Sequence, residues 1–396
     1  MYEKYFKEFD LIAEFTSSEK GVTRTPFSLE DYEARKYIIQ LFKKHKLEVF
    51  VDDIGNIFGI NNNYDEYKKN IMIASHIDTT LNSGKYKGIM GLIAGLTVID
   101  FLKNKQIDKN IIIGVFIGRE YYKNVDFIGS RFFAGDKKML DLIPEASEDY
   151  KAYLMEEKIF LKNDLTTDVD AFLELTLEHG ETLIQLGKNI GVIDYLSSAT
   201  ICEIIIDGQE TYSGNTSVEK RHDALVSAAL VIAEINDIAM ARCEDGIIAT
   251  VIDLKVISGT YNMVPSKVEL LLEVRGKNNE DIIECIQEIK DAISEVTQIQ
   301  DVFISLKVKK PENIVYMSDK INEEIIKSCE DCKLSYENLH YSYETDLLIL
   351  GENKKAAMVI LPNKTGVSYN YSETLNLHDF GNGVALMEHL ISKKNI

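Results

Sequence analysis

Short, almost wholly apolar runs closed by polar or glycine-bearing turns alternate along this chain with longer stretches whose apolar positions recur at helical spacing. The clearest unit spans residues 71–117. It holds a strand-like IMIAS (71–75), a glycine-spaced segment from Gly84 to Gly91, a helix-like LIAGLTVIDFLKNK (92–105) and a strand-like IIIGVFI (111–117). Such a β-loop-α-β order implies parallel strands joined by a right-handed crossover, with a site at their C-terminal ends. His76, Asp78, Arg119 and Glu120 fall there. Upstream, residues 1–19 and 29–46 read as helices, with Ala34, Ile38, Leu41 and Phe42 on one side of the second. Ser28 opens that helix, with Asp31 as an acidic stand-in for a capping box. Residues 47–60 read as a hairpin turning at Asp53 to Asn56.

Residues 136–170 look helical and charged, AFLELTLEHG (171–180) gives a strand and turn, and GVIDYL (191–196) approaches a boundary near 196. From 199 to 306 the order is β-α-β-β-α-β, the ferredoxin-like arrangement of a small inserted domain. Helix 321–331, strand 356–362 and helix 381–393 then return to the first domain. The expected fold is α/β, with a main domain over 1–197 and 307–396 and an inserted domain over 198–306.

At 396 residues the chain can hold two cores, since single cores stop growing at roughly 250–300 residues. A net charge of −20 without any basic stretch excludes a nucleic-acid partner. No apolar run reaches the ~18 residues of a membrane span, and MYEKYFKEFD lacks the basic start and apolar core of a signal peptide, so a cytoplasmic protein with no membrane partner is expected. Five cysteines at irregular spacings suit free thiols, and the acidic middle of Cys329-Glu330-Asp331-Cys332 disfavours a reactive thiolate. His45, His222, His340, His378 and His389 have no partners at ligand spacing and read as surface residues.

Several segments, in order, carry a resemblance: Gly21-Val22-Thr23-Arg24, Asp53 to Asn56, Ser75-His76-Ile77-Asp78-Thr79, Gly129-Ser130-Arg131, Leu173-Glu174-Leu175, Gly214-Asn215-Thr216, Arg221 to Leu225, Asn262-Met263-Val264-Pro265 and Pro362 to Gly366. Over nearly its whole length the chain resembles the M20 metallopeptidase superfamily, in the branch of N-carbamoyl-L-amino acid hydrolases, β-ureidopropionases and allantoate amidohydrolases. The resemblance implies a zinc-exopeptidase-like mixed-sheet main domain and an inserted lid and dimerisation domain, hence a homodimer. It also implies two zinc or manganese ions, a general-base Glu, and hydrolysis of linear amide C–N bonds.

Position by position, the resemblance keeps His76 as a metal ligand, Asp78 as the residue that orients it, and Glu120 as a ligand. The bridging carboxylate position is Lys87, the general-base position is Arg119, and two His ligand positions are Thr176 and Tyr369. On the substrate side Asn262 and Arg275 match residues that grip a ligand carboxylate. His179 takes the place of a polar cleft residue, Tyr212 that of a carbonyl-polarising His, and Thr345 that of a further His, beside a retained Asp346. Replacing an acid by Lys87 and another by Arg119 shifts the local charge by two units each, the charge of two divalent cations. Lys87 and Arg119 are therefore expected to stand in for the metals and to neutralise Asp78 and Glu120, leaving His76 and Glu120 as remnants and at most one weakly held divalent ion.

Three readings follow. The first is a non-catalytic or regulatory binder of a small carboxylate ligand, an amino acid or a ureide. The second is an amidohydrolase of divergent mechanism with Glu120 or His76 as base. The third is a dimeric interaction scaffold.

Overall fold

The apolar runs become strands in the computed structural model, which describes residues 2–393 apart from 63, 121, 123–124, 146–147, 149, 151–168, 198, 258–260, 277 and 311–313. In chain order the first elements are α1 (Glu3–Ala13), α2 (Leu29–Lys44), β1 (Glu48–Val51), β2 (Ile57–Ile60), β3 (Lys69–His76), α3 (Met90–Leu102), β4 (Lys109–Phe116), α4 (Ile128–Phe133), β5 (Val169–Leu177), α5 (Thr182–Leu186) and β6 (Ile190–Ser197). The middle of the chain supplies β7 (Thr200–Asp207), β8 (Thr211–Tyr212), α6 (Ala224–Ala241), β9 (Ile248–Val256), β10 (Met263–Val264), β11 (Lys267–Arg275), α7 (Asn279–Gln300) and β12 (Phe303–Lys310). The last stretch supplies β13 (Ile314–Tyr316), α8 (Asp319–Asp331), β14 (Tyr336–Tyr341), α9 (Leu347–Leu350), β15 (Lys355–Leu361) and α10 (Leu377–Ser392). Contacts divide the chain into a larger unit, 1–195 with 315–340 and 345–396, and a smaller one, 196–314 with 341–344.

In the larger unit the sheet runs β1-β2-β4-β3-β5-β15-β6-β13, with β14 beside β6. All eight residues of β4 and seven of eight in β3 are buried, which is why these strands read as continuous apolar runs. Strands β4, β3, β5 and β15 are parallel, with His76 opposite Phe116 and Thr176 opposite Ile360, so their C-terminal ends share one edge. The expected strand-helix-strand unit therefore stands. The helical reading of 136–170 holds over 137–145, which wind as a 3₁₀ helix, and ends before Val169, where β5 begins, while 151–168 lie outside the described residues.

Local polar chemistry fixes how chain segments meet this sheet. At the turn between β1 and β2, Asp52 accepts from the N–H groups of Ile54, Gly55 and Asn56. The Asn56 amide donates back to Asp52 and on to the Gly129 carbonyl. Ser28 caps α2 by accepting from Asp31 N–H at 3.2 Å, as its position suggests, but the Asp31 carboxylate turns to Phe27 N–H and Arg35 rather than back to Ser28. Arg35, fully buried with Asp31, also donates to the carbonyls of Gly55 and Phe116, tying α2 to the first hairpin and to the end of β4.

The smaller unit is an antiparallel sheet in the order β12-β7-β11-β9, built from β-α-β-β-α-β connectivity. Burial alternates along β7 and β11, and α7 turns Ile282, Cys285, Ile286, Ile289, Ile293 and Val296 inward, so one sheet face is covered by helices. One sequence expectation needs correction. By length and composition α6 is apolar enough to cross a membrane. Its buried residues Ala224, Ser227, Ala228, Val231 and Ile235 form one stripe at helical spacing, as in a helix laid on a sheet.

Asp31→Ala leaves the Arg35 guanidinium buried without its carboxylate, and urea denaturation is expected to show a loss of about 3–5 kcal/mol. A loss below about 1 kcal/mol would mean that the other contacts of Arg35 hold it without the carboxylate.

Candidate functional site

The shared C-terminal edge of β3, β4 and β5 holds the chemistry-bearing residues. His76 ends β3, and its Nδ1 lies 3.0 Å from the main-chain oxygen of Asp78, which makes Nδ1 the donor and leaves Nε2 as the proton acceptor of a neutral ring. Burial, then the charges of Arg119 and Lys87, hold the imidazole well below its ordinary range, so it is neutral. Gly88 admits this ring, since a Cβ there would sit 2.7 Å from His76 Cε1. The loop after His76 is pinned by the buried Arg24, which donates to the carbonyls of Ile77, Ile12 and Phe15.

Asp78 is fully buried and accepts from Glu120 N–H at 2.7 Å through Oδ2. Its Oδ1 lies 3.9 Å from His76 Nδ1 and has no hydrogen-bond partner among the described residues. Burial, reinforced by Asp31 and Glu120, pushes this carboxyl up to about 8. Lys87 does not pair with it. The buried Lys87 Nζ has no hydrogen-bond partner among the described residues and lies 4.1 Å from the centre of the Tyr369 ring. Burial and then the Arg119 charge hold the Lys87 amine well below its ordinary range, against the pull of Glu120, Glu373 and Glu174.

Arg119 does meet Glu120: the two side chains form a buried ion pair, and the guanidinium also donates to the Tyr369 hydroxyl at 3.1 Å. Burial works against this charge, but Tyr369 and Glu120 outweigh it and hold the guanidinium charged above its ordinary range. Thr176 donates weakly to the Lys87 carbonyl at 3.4 Å, and His179 packs against Tyr369 with ring centres 5.3 Å apart. Of the two expected pairs, Arg119 meets Glu120, whereas among the described residues no lysine or arginine forms an ion pair with Asp78, whose carboxyl burial pushes up to about 8.

Asn262, Arg275 and Tyr212 belong to the smaller unit. Asn262 adopts a left-handed conformation (φ 74°) and its carbonyl accepts from Ser213 N–H and Oγ–H, while Tyr212 is exposed on β8. The Arg275 fork is filled by carboxylates of its own chain: it pairs with Glu273 at 2.8 Å and Glu344 at 3.2 Å, and donates to the Ser342 carbonyl.

No family model matches the chain. It is 26% identical over 391 residues to an uncharacterised hydrolase of Haemophilus influenzae, covering 96% of this chain and 95% of that protein. It is 24% identical to the N-carbamoyl-L-amino-acid amidohydrolase of Paenarthrobacter aurescens, covering 97% and 96%, and 25% identical to the allantoate amidohydrolase of Escherichia coli, covering 92% and 90%. The chain is a homologue of the carbamoylase and allantoate amidohydrolases. Its fold agrees with a hydantoinase/carbamoylase amidase from Burkholderia multivorans (TM-score 0.83, 20% identity, 99% of this chain and 97% of that one). It agrees equally with a crystal structure of AtUAH (0.84, 22%, 99% and 97%), and less closely with the aminopeptidase PepT of Bacillus cereus (0.67, 16%, 99% and 98%).

Against the two metal ions that the amidohydrolase resemblance implies, the donor set does not fit. Among the described residues no group of three His, Cys, Asp or Glu side chains is placed to hold a metal ion. Lys87, the position at which the resemblance implies a bridging carboxylate, presents an amine, and Glu120 is paired with Arg119. Three more acids complete the cluster: Asp346, retained in the resemblance, Glu174, quoted there only within its segment, and Glu373, which sequence reasoning passed over. Glu174 accepts from the Thr345 hydroxyl, Asp346 accepts from Ser130 Oγ at 2.6 Å, and Glu373 packs where a Cβ on Gly84 would overlap it. Burial pushes Asp346 and Glu373 each up to about 7 and raises Glu174 as well. Glu174 and Ser130 lie inside segments that carry the family resemblance, a usable signal. Glu373 had none.

Two substitutions separate these cations. Lys87→Met replaces an unpartnered buried amine with an apolar chain and is expected to raise the denaturation midpoint, whereas Arg119→Met strands Glu120 and costs about 3–5 kcal/mol. Because the folded Lys87 sheds its proton below the ordinary 10.5, the advantage of the Met variant shrinks as the pH climbs towards 10.5, where the unfolded lysine sheds its own. Equal losses in both variants would contradict this account.

Proposed function

We propose that this amidohydrolase homologue works without a dinuclear metal centre, as a non-catalytic or regulatory binder of a small carboxylate-bearing ligand, an amino acid or a ureide. The observation that carries the reading is Arg119 in its ion pair with Glu120. A guanidinium has no lone pair to accept a proton near neutral pH, so the general-base position is chemically silent. The ligand class is supported by the relatives named for N-carbamoyl amino acids and allantoate, and by the AtUAH complexes with (S)-hydroxyglycine and glyoxylate, both small carboxylates. A carboxylate that reaches Arg275 has to displace Glu344.

One observation favours a second reading, an amidohydrolase of divergent mechanism: neutral His76, fixed through Nδ1, keeps Nε2 competent as a base. Hydrolysis assays on N-carbamoyl amino acids, allantoate and dipeptides, with and without Mn²⁺, decide between the two. No turnover is expected, and elemental analysis of protein purified without added metal is expected to find no stoichiometric zinc or manganese. Turnover that disappears in His76→Ala would establish the second reading instead. For the binder, a thermal-shift screen of amino acids and ureides is expected to find a ligand that raises the melting point.

A homodimer through the smaller unit belongs to the same proposal. Strand β9 is a sheet edge with exposed Ile248, Ile252, Leu254 and Val256, an arrangement that solitary proteins avoid. Sedimentation should give a dimer for the parent chain and a monomer for Ile252→Lys combined with Leu254→Lys. A monomeric parent would rule the dimer out.

A further inference from the structure

At the edge shared by β3, β4 and β5, Arg119 and Glu120 answer each other's charge, and the Lys87 amine is left unanswered. Lys87 is 9% exposed, and its Nζ has no hydrogen-bond partner among the described residues. The loop that carries it is built around a carboxyl group. Glu373, 6% exposed, packs against Gly84, where a Cβ would overlap it, and takes a hydrogen bond from the Lys87 main chain. Its Oε1 is likewise buried without a partner among the described residues. Each of the two groups shifts the other's proton affinity, so they lie close enough to interact, yet their side chains form no ion pair among the described residues.

A lysine that only filled this space would need no nitrogen. An apolar chain of similar length would pack against the Tyr369 ring, whose centre is 4.1 Å from Nζ, without leaving a polar atom unmatched in the interior. Attraction to that ring is a poor answer, because it rewards the charged amine, whereas burial and Arg119 both favour the neutral one. A desolvated lysine beside another cation is instead the form of this side chain that attacks a carbonyl carbon. The edge is not sealed, since Glu120, His179 and Tyr369 are each half-buried.

We propose that Lys87 binds a small 2-oxo acid covalently and reversibly, as an imine, with the acid's carboxylate drawn by the charge of Arg119. This rests on the reading of the edge as a site for a small carboxylate-bearing ligand, and it names the reactive group of that ligand, a carbonyl next to the carboxylate. The Nζ lone pair adds to the carbonyl carbon, the π pair moves to oxygen, and oxygen takes up a proton that nitrogen sheds. The resulting carbinolamine loses its hydroxyl as water, and nitrogen gives up its remaining proton as the C=N bond forms. Amine and carbonyl compound thus yield imine and water. Glu373 is the group placed to pass the protons: it donates to the leaving hydroxyl and recovers the proton from nitrogen.

Trapping the imine tests this. The full chain is incubated near neutral pH with cyanoborohydride, which reduces an imine to a stable secondary amine, and with either glyoxylate or propionaldehyde, a carbonyl compound without a carboxylate. Peptide mass mapping then reads which lysines have reacted, the exposed ones serving as protonated references. Glyoxylate is expected to convert Lys87 to N-carboxymethyl-lysine about tenfold faster than any exposed lysine, and about tenfold faster than propionaldehyde modifies Lys87. In urea the preference for Lys87 is expected to vanish. Glu373→Gln is expected to slow the reaction while Lys87 stays the preferred lysine, which keeps a lost proton path apart from a lost fold; an unchanged rate removes Glu373 from that path. Lys87 reacting no faster than the exposed lysines overturns the imine, whatever else the edge binds. Propionaldehyde modifying Lys87 as readily as glyoxylate keeps the imine and overturns the carboxylate reading on which the ligand class rests.

Discussion

A charge taken out of water has to be met by an opposite charge or given up, and the C-terminal edge of the parallel strands is governed by that constraint. Five carboxyl groups, Asp78, Glu120, Glu174, Asp346 and Glu373, share the edge with two basic side chains, Lys87 and Arg119. They do not pair off. Only Arg119 and Glu120 form an ion pair among these side chains, and Arg119 stays charged. Asp78, Asp346 and Glu373 move towards holding protons, and Lys87 moves towards releasing one. The cluster approaches neutrality by moving protons more than by building salt bridges.

That distinction explains what could and could not be read from the chain. Runs such as those of β3 and β4 are apolar because both faces are buried, so strand, direction and edge followed from composition alone, and His76, Arg119 and Thr176 came out at one end of one sheet. Choice of partner did not follow. Whether Lys87 reaches Asp78 depends on the path of the loop between Gly84 and Gly88, and those glycines are shaped around Glu373 and His76, neither of which is adjacent to Lys87 in sequence. Net charge at a site adds up from residue identities; pairing needs coordinates.

The smaller unit makes the same point from the other side. Its strand and helix order was readable, since β7 and β11 alternate and α7 carries a regular apolar stripe. Arg275 was readable only as a carboxylate-binding fork. Glu344, one of the carboxylates that fill it, arrives from a segment almost seventy residues away, and no local pattern announces it. The apolar length of α6 misleads for a related reason: hydropathy counts residues without knowing that a sheet lies beneath one stripe of them.

Scaffold and chemistry are therefore separable here. Burial of β3, β4 and β5 sets the positions of residues 76, 119 and 176 without help from any charge at the edge, because the register is held by backbone ladders between apolar strands. Lys87 and Arg119 at this edge bear on what the site can do to a proton while leaving strand register alone. Each of these buried basic groups has a local remedy: Arg119 the neighbouring Glu120 carboxylate, and Lys87 an aromatic face and the option of neutrality. A fold of this kind can keep its architecture while its reactive groups are rewritten, so its function has to be argued from the edge residues and not from the strands that carry them.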